Sequence, residues 1–492
     1  MAKPKNKKFT LTDALIEGKA QPFKVPENWC WVRTKSVFDI VVGATPSTSH
    51  KEYYNNGTIV WLPSGCCQDC VVEKDLSNYK MITEEGYNSC STKLMPPGTV
   101  MIALTGATAG KVGYLPFEAC GNQSIVGLLP NQIIYPKFMF YQLMARRKEI
   151  LNDCVGSAQP HISKEYVSNM PLALPTMAEQ QRITERIESM FVKLDEAKSQ
   201  LETALEDTEV RKTAILHSAF KGQLTKAWRE EHRACENTVL EAVRVYSNSL
   251  SNKDKKFIAE GQTEINPIEM SGDIVWYETK IGAISRVTNG STPSRQCEQY
   301  WNGDIPWVSS GEVRNNIIDV TEECITQEGY DSSSVKLLPK GTVLIAMIGE
   351  GKTRGQSAVL NIEATTNQNI AAIVIEHGQI NSKFLWYWLQ KEYKKNREKG
   401  AGSGPQALNC QRVRELDMIV PPIEEQDAIV EIIDELMQKE MQVIETINEA
   451  IDKISLIKKS ILAKAFRGEF GTNNPDEESA VELLKQILAE EL

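Results

Sequence analysis

The stretch ITERIESMFVKLDEAKSQLETALEDTEVRKTAI (183–215) decides the fold. Small or apolar side chains fall at Ile183, Ile187, Met190, Leu194, Ala197, Leu201, Ala204 and Ile215, with Thr208 and Arg211 as interruptions. Steps of four and three in alternation make a heptad seam, the mark of a helix that packs along its length against another helix. The pattern returns in IVEIIDELMQKEMQVIETINEAIDKISLIKKSI (429–461). Its seam is Ile429, Ile433, Leu436, Val443, Ile447, Ala450, Ile454, Ile457 and Ile461, with Glu440 as the exception, in the place that Leu194 holds in the first copy. The seams start 246 residues apart. Each would measure about 50 Å at ~1.5 Å per residue.

Outward from the seams, the rest of the chain repeats at nearly the same interval. GATPS (43–47) returns as GSTPS (290–294), and NGTIVWLPSG (56–65) as NGDIPWVSSG (302–311). TEEGYNSCSTKLMPPGTVMIALTG (83–106) returns as TQEGYDSSSVKLLPKGTVLIAMIG (326–349), and Asn122-Gln123 as Asn367-Gln368. LPTMAEQQRI (174–183) and AILHSAFKGQL (214–224) return as VPPIEEQDAI (420–429) and SILAKAFRGEF (460–470). The chain therefore reads as a tandem duplication of one unit, a globular domain followed by a long helix. TIVWLP, GTVMIALTG, IPWVSS and GTVLIAMIG are short β-rich runs bounded by turn residues. Residues 137–151 and 382–399 read as amphipathic helices, which makes the domains mixed α and β. Pro175 and Pro421-Pro422 mark where each long helix begins.

The expected order is an N-terminal tail (1–27), globular domain one (28–176), long helix one (177–225), a connector (226–275), globular domain two (276–422), long helix two (423–470) and an acidic tail (471–492). A helix that leaves domain one, and a second that returns from domain two, favour an antiparallel two-helix coiled coil between the domains, with pseudo-two-fold symmetry.

The chain has 492 residues, 41% hydrophobic and 24% charged, as expected of a soluble globular protein of several domains. Eleven irregularly spaced cysteines read as free thiols of the cytoplasm. The basic start MAKPKNKKFT is followed by no apolar run, and no stretch has the length of a membrane span. The formal charge of −10 lies on the helices and tails. Residues 28–175 hold 12 basic and 11 acidic side chains, and residues 276–420 hold 16 of each. Near-neutral domains still allow nucleic-acid binding through a local basic face. Two similar domains held a fixed distance apart suit a target with two features along a line. One turn of B-DNA is about 34 Å, so a rod of this length can present two readers to one face of a duplex.

The motifs PENW (26–29), GATPS and GSTPS, the Gly-Tyr followed by L-x-P-x-G-T-V, the Asn-Gln pairs, PTMAEQ and PPIEEQ, and AFKGQL and AFRGEF occur in an order that resembles the DNA-specificity subunits of type I restriction–modification systems. The resemblance covers nearly the whole chain and both copies. It implies that each globular part is a target recognition domain for one half of a split, asymmetric double-stranded DNA site. It implies that the helices set the gap and bind two methyltransferase subunits, and that two restriction–translocation subunits join the assembly. S-adenosylmethionine, and ATP with Mg2+, would then bind those partners, with no cofactor on this chain. The rival reading is a scaffold whose two domains bind proteins.

Candidate DNA contacts lie where the copies differ: Ser47, Thr48, Lys51 and Tyr53 in STSHKEYY (47–54), Gln68 in GCCQDC (65–70), Arg295 and Gln296 in SRQCEQYW (294–301), and Arg314 and Asn315 in GEVRNN (311–316). These loops offer the amides, hydroxyls, cations and aromatics that DNA readers use. GSAQPHISK (156–164) adds Gln159, His161 and Lys164, and GSGPQALNCQR (402–412) adds Gln406 and Arg412, since Gln pairs with adenine and Arg with guanine. The repeated residues Gln159, Gln406, Asn122-Gln123 and Asn367-Gln368 suit bracing of the shared fold better than base reading, because they recur in both copies.

AMIGEGKT (346–353) satisfies a relaxed phosphate-loop pattern, but RGQSAVLNIEA after it reads as turn then strand where a phosphate loop opens a helix. The better reading places Lys111, Lys352 and Arg354 on turns, in reach of phosphate or guanine edges. Cys67 and Cys70 form one C-x-x-C pair without the second pair that structural zinc requires, so no metal is expected. No methyltransferase N-P-P-aromatic sequence, nuclease carboxylate–lysine core or G-x-S-x-G turn is found. The five histidines show no metal or triad spacing. The chain alone is expected to be non-catalytic.

Overall fold

The computed structural model describes residues 9–153, 161–233, 235–249, 265–349, 351–376, 378–398 and 407–490. They form two compact units. One contains Met1–Glu202 with Asn448–Leu492, the other Thr203–Ile447. Each holds one globular domain, half of each long helix and one further segment of chain.

In unit one, the strand Cys30–Arg33 pairs antiparallel with Pro171–Leu174, so the domain's first and last strands meet just before the long helix. A five-stranded sheet runs in the order Ile40–Val42, Ile125–Leu128, Val100–Ala103, Val112–Tyr114, Cys70–Val71. Its last pair is parallel and the others antiparallel. A three-stranded sheet of Lys80–Ile82, Ile59–Leu62 and Cys120–Gly121 is built from segments that alternate with these strands along the chain. The central strand explains its own sequence. Val100 and Ile102 pack with Phe140 and Leu143 of the helix Pro136–Asn152, while Met101 and Ala103 pack with Val60 and Leu62 on the other face. A strand covered on both faces needs an unbroken apolar run.

Unit two repeats the plan. Its five-stranded sheet runs Arg286–Asn289, Ile370–Val374, Val343–Ala346, Ser357–Leu360, Asn316–Ile318, with the last pair again parallel. The amphipathic stretch expected at 382–399 is two helices, Ser382–Lys391 and Tyr393–Glu398.

The long helices span Met177–Phe220 and Ile423–Phe466. Within each unit the start of one lies against the end of the other. In unit one Ile183 and Ile187 share a core with Leu462, Ala465 and Phe466, and Lys458 pairs with Asp195 at 2.5 Å. In unit two Arg211 meets Glu440, with Nε 2.9 and 3.1 Å from its two carboxylate oxygens. The helix pair is therefore antiparallel, and the two charged interruptions of the seams turn out to be partners.

Ile183, Ile187, Ile429, Ile433, Ile447 and Ile454 are buried, whereas Leu194, Leu201 and Leu436 are only half-buried. Val443 and Ile457, read as seam positions, are 40% and 46% exposed. A lone helix partner covers a narrow stripe, and these two fall outside it.

The repeated motifs are joints between helix and domain. Gln180 and Gln426 are fully buried at the helix starts. Gln180 accepts from the Tyr135 backbone N at 2.7 Å and donates to the Ile133 and Pro175 carbonyls. Gln426 accepts from Asn381 N and donates to Gln379 and Pro421 in the same way. At the helix ends, Phe466 stacks edge-on against Phe138 in unit one, and Phe220 against Phe384 and Trp388 in unit two. Gly222 and Gly468 follow with φ of +70° and +73°. A Cβ there would also strike Met270 and Pro26.

A further segment completes each unit. In unit two the helix Val239–Ser249 places Val239 and Val243 in the domain core. In unit one the helix Ala480–Glu490 does the same with Ala480 and Leu484, so the acidic C-terminal segment is part of the domain. The chain before domain one is packed too, with Ala14 and Ile16 buried behind the capped turn Leu11–Ala14.

Candidate nucleic-acid interface

The shared loops brace the fold. Gly43 and Gly290 lie against the backbones of Gly121–Asn122 and Thr366, closer than any Cβ allows. Two residues on, Thr45 bonds Gln123 and Thr292 bonds Gln368. Asn122 Oδ1 accepts from Ser124 N, and Asn367 Oδ1 from Asn369 N, both at 3.0 Å. The G-x-T-P and Asn-Gln motifs thus hold each other in both domains. Gln159 and Gln406 lie outside the described residues.

In domain one, Ser47, Thr48 and Lys51 are exposed and Tyr53 is half-buried. Ser47 Oγ lies 2.7 Å from Ser49 Oγ. Tyr53 stacks on His50 at 4.9 Å, and His50 Nδ1 lies 2.7 Å from Glu52, whose carboxyl is held below its usual range by backbone and His50 hydrogen bonds. Gln68 is exposed, and Lys111 Nζ donates to its Oε1 at 2.5 Å. His161 is exposed and bridges through its backbone to Thr105. Lys164 opens the short helix Lys164–Asn169.

In domain two, Arg295 is held by a fork onto the Glu323 carboxylate and lies 3.7 Å from the Trp301 ring centre and 5.0 Å from that of Trp307. The two indoles meet edge-on at 5.1 Å. The guanidinium's hydrogen bonds hold the Glu323 carboxyl below its usual range. Gln296 is exposed beside them. Arg314 is exposed, with its side chain folded onto the Gly311 carbonyl. Arg412 donates to the Ala407 carbonyl at 2.7 Å and braces its own loop.

Asn315 is exposed and also locks a turn. Its φ is +57°, and its Oδ1 accepts from Ser357 N at 3.1 Å. Asp69 in domain one matches it, with φ +58° and Oδ1 3.0 Å from Val112 N. Both are turn locks. In the same loop Cys67 is buried among Val60, Leu62 and Val72, at the place where domain two buries Val313. Its hydrogen bond with Cys66 and its burial push the Cys67 thiol up, while Cys66, on the other side of that bond, is pushed down.

The segment 346–353 joins strand Val343–Ala346 to strand Ser357–Leu360 in an antiparallel hairpin. Among the described residues, 351–360 run as turns and then strand, with no helix of the kind a phosphate loop opens. The Lys352 carbonyl accepts from Tyr393 Oη at 2.6 Å, and the Arg354 carbonyl from Arg397 at 3.0 Å, so the turn is clamped with both side chains at its surface or half-buried.

Among the described residues, no helix is long and apolar enough to cross a membrane. Two stretches, 26–207 and 274–453, match the type I restriction modification DNA specificity domain. The chain is 23% identical to the MjaIX specificity subunit of Methanocaldococcus jannaschii, over 91% of this chain and 94% of that one. It is 22% identical to the StySPI specificity subunit of Salmonella potsdam, over 95% and 96%. Its fold is similar to a chain in a structure concerning assembly and conformational transition of the type I R-M system, with a TM-score of 0.62, 18% identity and coverage of 91% and 100%. It is also similar to the HsdS subunit of Thermoanaerobacter tengcongensis, with a TM-score of 0.51, 17% identity and coverage of 91% and 99%. The family match takes in most of the chain and both copies of its repeat, and with it the reading as a protein-binding scaffold falls: the chain belongs to the type I restriction–modification DNA specificity family.

Proposed function

We propose that each globular domain reads one half of a split, asymmetric duplex site and that the antiparallel helices fix the unread gap. Two methyltransferase subunits and two restriction–translocation subunits assemble on this chain in the cytoplasm. They bind S-adenosylmethionine, and ATP with Mg2+, and carry out methyl transfer and cleavage. The observation behind this reading is that both domains keep the same bracing contacts, Thr45–Gln123 and Thr292–Gln368, while their exposed loops differ. Different readers on a common scaffold are what an asymmetric site requires.

Exchanging residues 28–175 for another reader should change one half of the methylated sequence in a host that carries the partners. Inserting one heptad in both long helices should lengthen the gap and leave both halves intact. Binding by the complex should weaken steeply with salt and still favour one split site. A domain exchange that altered both halves together would overturn the reading.

A further inference from the structure

The backbone hydrogen bonds of the two domains mark a pair of equivalent positions that the repeat in the sequence hides. The hairpin after the central strand is two residues longer in domain two, so a fixed offset misaligns it. The backbone bonds restore the match. Gly110 N donates to Ala103 O, and Gly355 N to Ala346 O, both at 2.9 Å. Lys111 N donates to Thr108 O and Gln356 N to Thr353 O, and the carbonyls of Lys111 and Gln356 accept from Ala103 N and Ala346 N. Lys111 therefore corresponds to Gln356, and each is half-buried.

The neighbouring loop matches as closely. Ser64–Cys66 and Ser310–Glu312 are equivalent single turns, followed by buried Cys67 and Val313 and then by the turn locks Asp69 and Asn315. Between buried residue and lock stands one exposed side chain, Gln68 in domain one and Arg314 in domain two. Each folds back on the equivalent glycine carbonyl, Gln68 Nε2 on Gly65 O at 3.0 Å and Arg314 Nε on Gly311 O. The lock residues bond Val112 N and Ser357 N, next in the chain after Lys111 and Gln356, so the two positions are held side by side. Lys111 Nζ reaches Gln68 Oε1 at 2.5 Å across that gap, and the far Arg314 nitrogen lies 4.0 Å from Glu322.

One scaffold thus carries an amide and a cation in domain one, Gln68 and Lys111, and a cation and an amide in domain two, Arg314 and Gln356. The backbone, the locks and the buried neighbour are kept while the side chains at these positions trade chemistry. In the major groove an amide pairs with adenine N6 and N7, and a Lys or Arg with guanine O6 and N7. We propose that these are equivalent base-reading positions of the two domains, that Gln68 and Gln356 select adenine while Lys111 and Arg314 select guanine, and that the two half-sites present these bases in opposite order to the same scaffold. The proposal rests on the split-site reading above and assigns part of its specificity to four side chains.

The test uses the full chain assembled with its methyltransferase subunits. Affinity is measured for duplexes in which each base pair of the wild-type site is replaced in turn. Gln68→Ala should lower discrimination about tenfold to a hundredfold at one adenine in one half, and Lys111→Ala at a guanine in that half. Arg314→Ala and Gln356→Ala should act at a guanine and an adenine in the other half. Gln68→Glu keeps the side chain's shape and should move the preference from adenine to cytosine. The double exchange Q68R/K111Q should give domain one the base order that domain two reads. Unchanged profiles, or equal weakening on every duplex, would overturn the proposal. A wild-type complex with no preference for any split site would instead mean that the underlying function is wrong.

Discussion

The joints between helix and domain, one in each unit, solve the same problem with different parts. Both bury a carboxylate in the first turn of a long helix, Glu179 in unit one and Glu425 in unit two, each fully buried. In unit two the acid accepts from Arg229 at 2.6 Å, Thr225 at 2.7 Å and Trp276 Nε1 at 2.7 Å. Arg229 is itself buried and spends further donors on the Gly222 carbonyl and Ser271. In unit one the cation is Arg182, on the same helix and 36% exposed, shared between Glu179 and Glu477 at 2.8 Å each. Thr472 stands in for Thr225, and the matching indole of Trp29 turns to Asn473 instead. Burial raises the Glu179 carboxyl, against the pull of Thr472 and Arg182. The duplication kept the acid and its place, and let the partners drift. What such a joint requires is a satisfied carboxylate, whichever segment supplies the donors.

That comparison can be broken most directly by removing the cations. Arg229→Ala should cost unit two about 3–5 kcal/mol, because a buried carboxylate loses its charged partner. Arg182→Ala should cost unit one less, about 1 kcal/mol, since water reaches the Arg182 side of that pair and Thr472 still donates to the buried Glu179. Chemical denaturation checks both, and equal losses would mean that the two joints are equivalent. Next in size is Leu484→Ala, which hollows the contact of the C-terminal helix and should cost about 2–5 kcal/mol, seen as a lowered melting temperature.

A smaller effect concerns the helices. The repeat-related positions of Glu440 and Arg211 are Leu194 and Ile457, both in unit one, so unit two has a salt bridge where unit one has two apolar residues. Glu440→Leu with Arg211→Ile should leave the melting temperature unchanged or raise it, whereas Arg211→Ile alone should lower it.

The smallest effect is electrostatic. Trp307 pairs in register with Glu323, and Trp61 with Lys80, so domain one lacks the carboxylate that grips Arg295. A carboxyl lowered on folding contributes stability above its unfolded pKa of about 4.3, and loses it as pH falls through the folded value. The melting difference between wild type and Glu323→Gln should therefore be present at neutral pH and vanish as pH drops below the carboxylate range.

The helical part of this architecture was legible because a seam is a periodic signal. Reading failed at Val443 and Ile457, where apolar type persists although the lone partner helix leaves them in water. Within the domains, residue type did not show the turn that Asn315 locks. An amide in an exposed loop suggests base contact, but a left-handed backbone position recruits Asn and Asp for their own turn. The pairing of Lys111 with Gln356 was invisible because two inserted residues break the offset, and only backbone bonds restore it. Glu179 and Glu425 left a trace in PTMAEQ and PPIEEQ. Their burial depended on residues 225–276 and 472–477, which no local pattern connects to them.

The interleaving of segments has a consequence for synthesis. Domain one's strands end at Leu174, yet its apolar surface is covered by Leu462, Phe466 and Leu484. At roughly 5–20 residues per second, the ribosome takes on the order of 15–60 s to deliver them. For that interval the nascent domain is open, and a chaperone or a slow codon placed within it would govern the yield of intact chain.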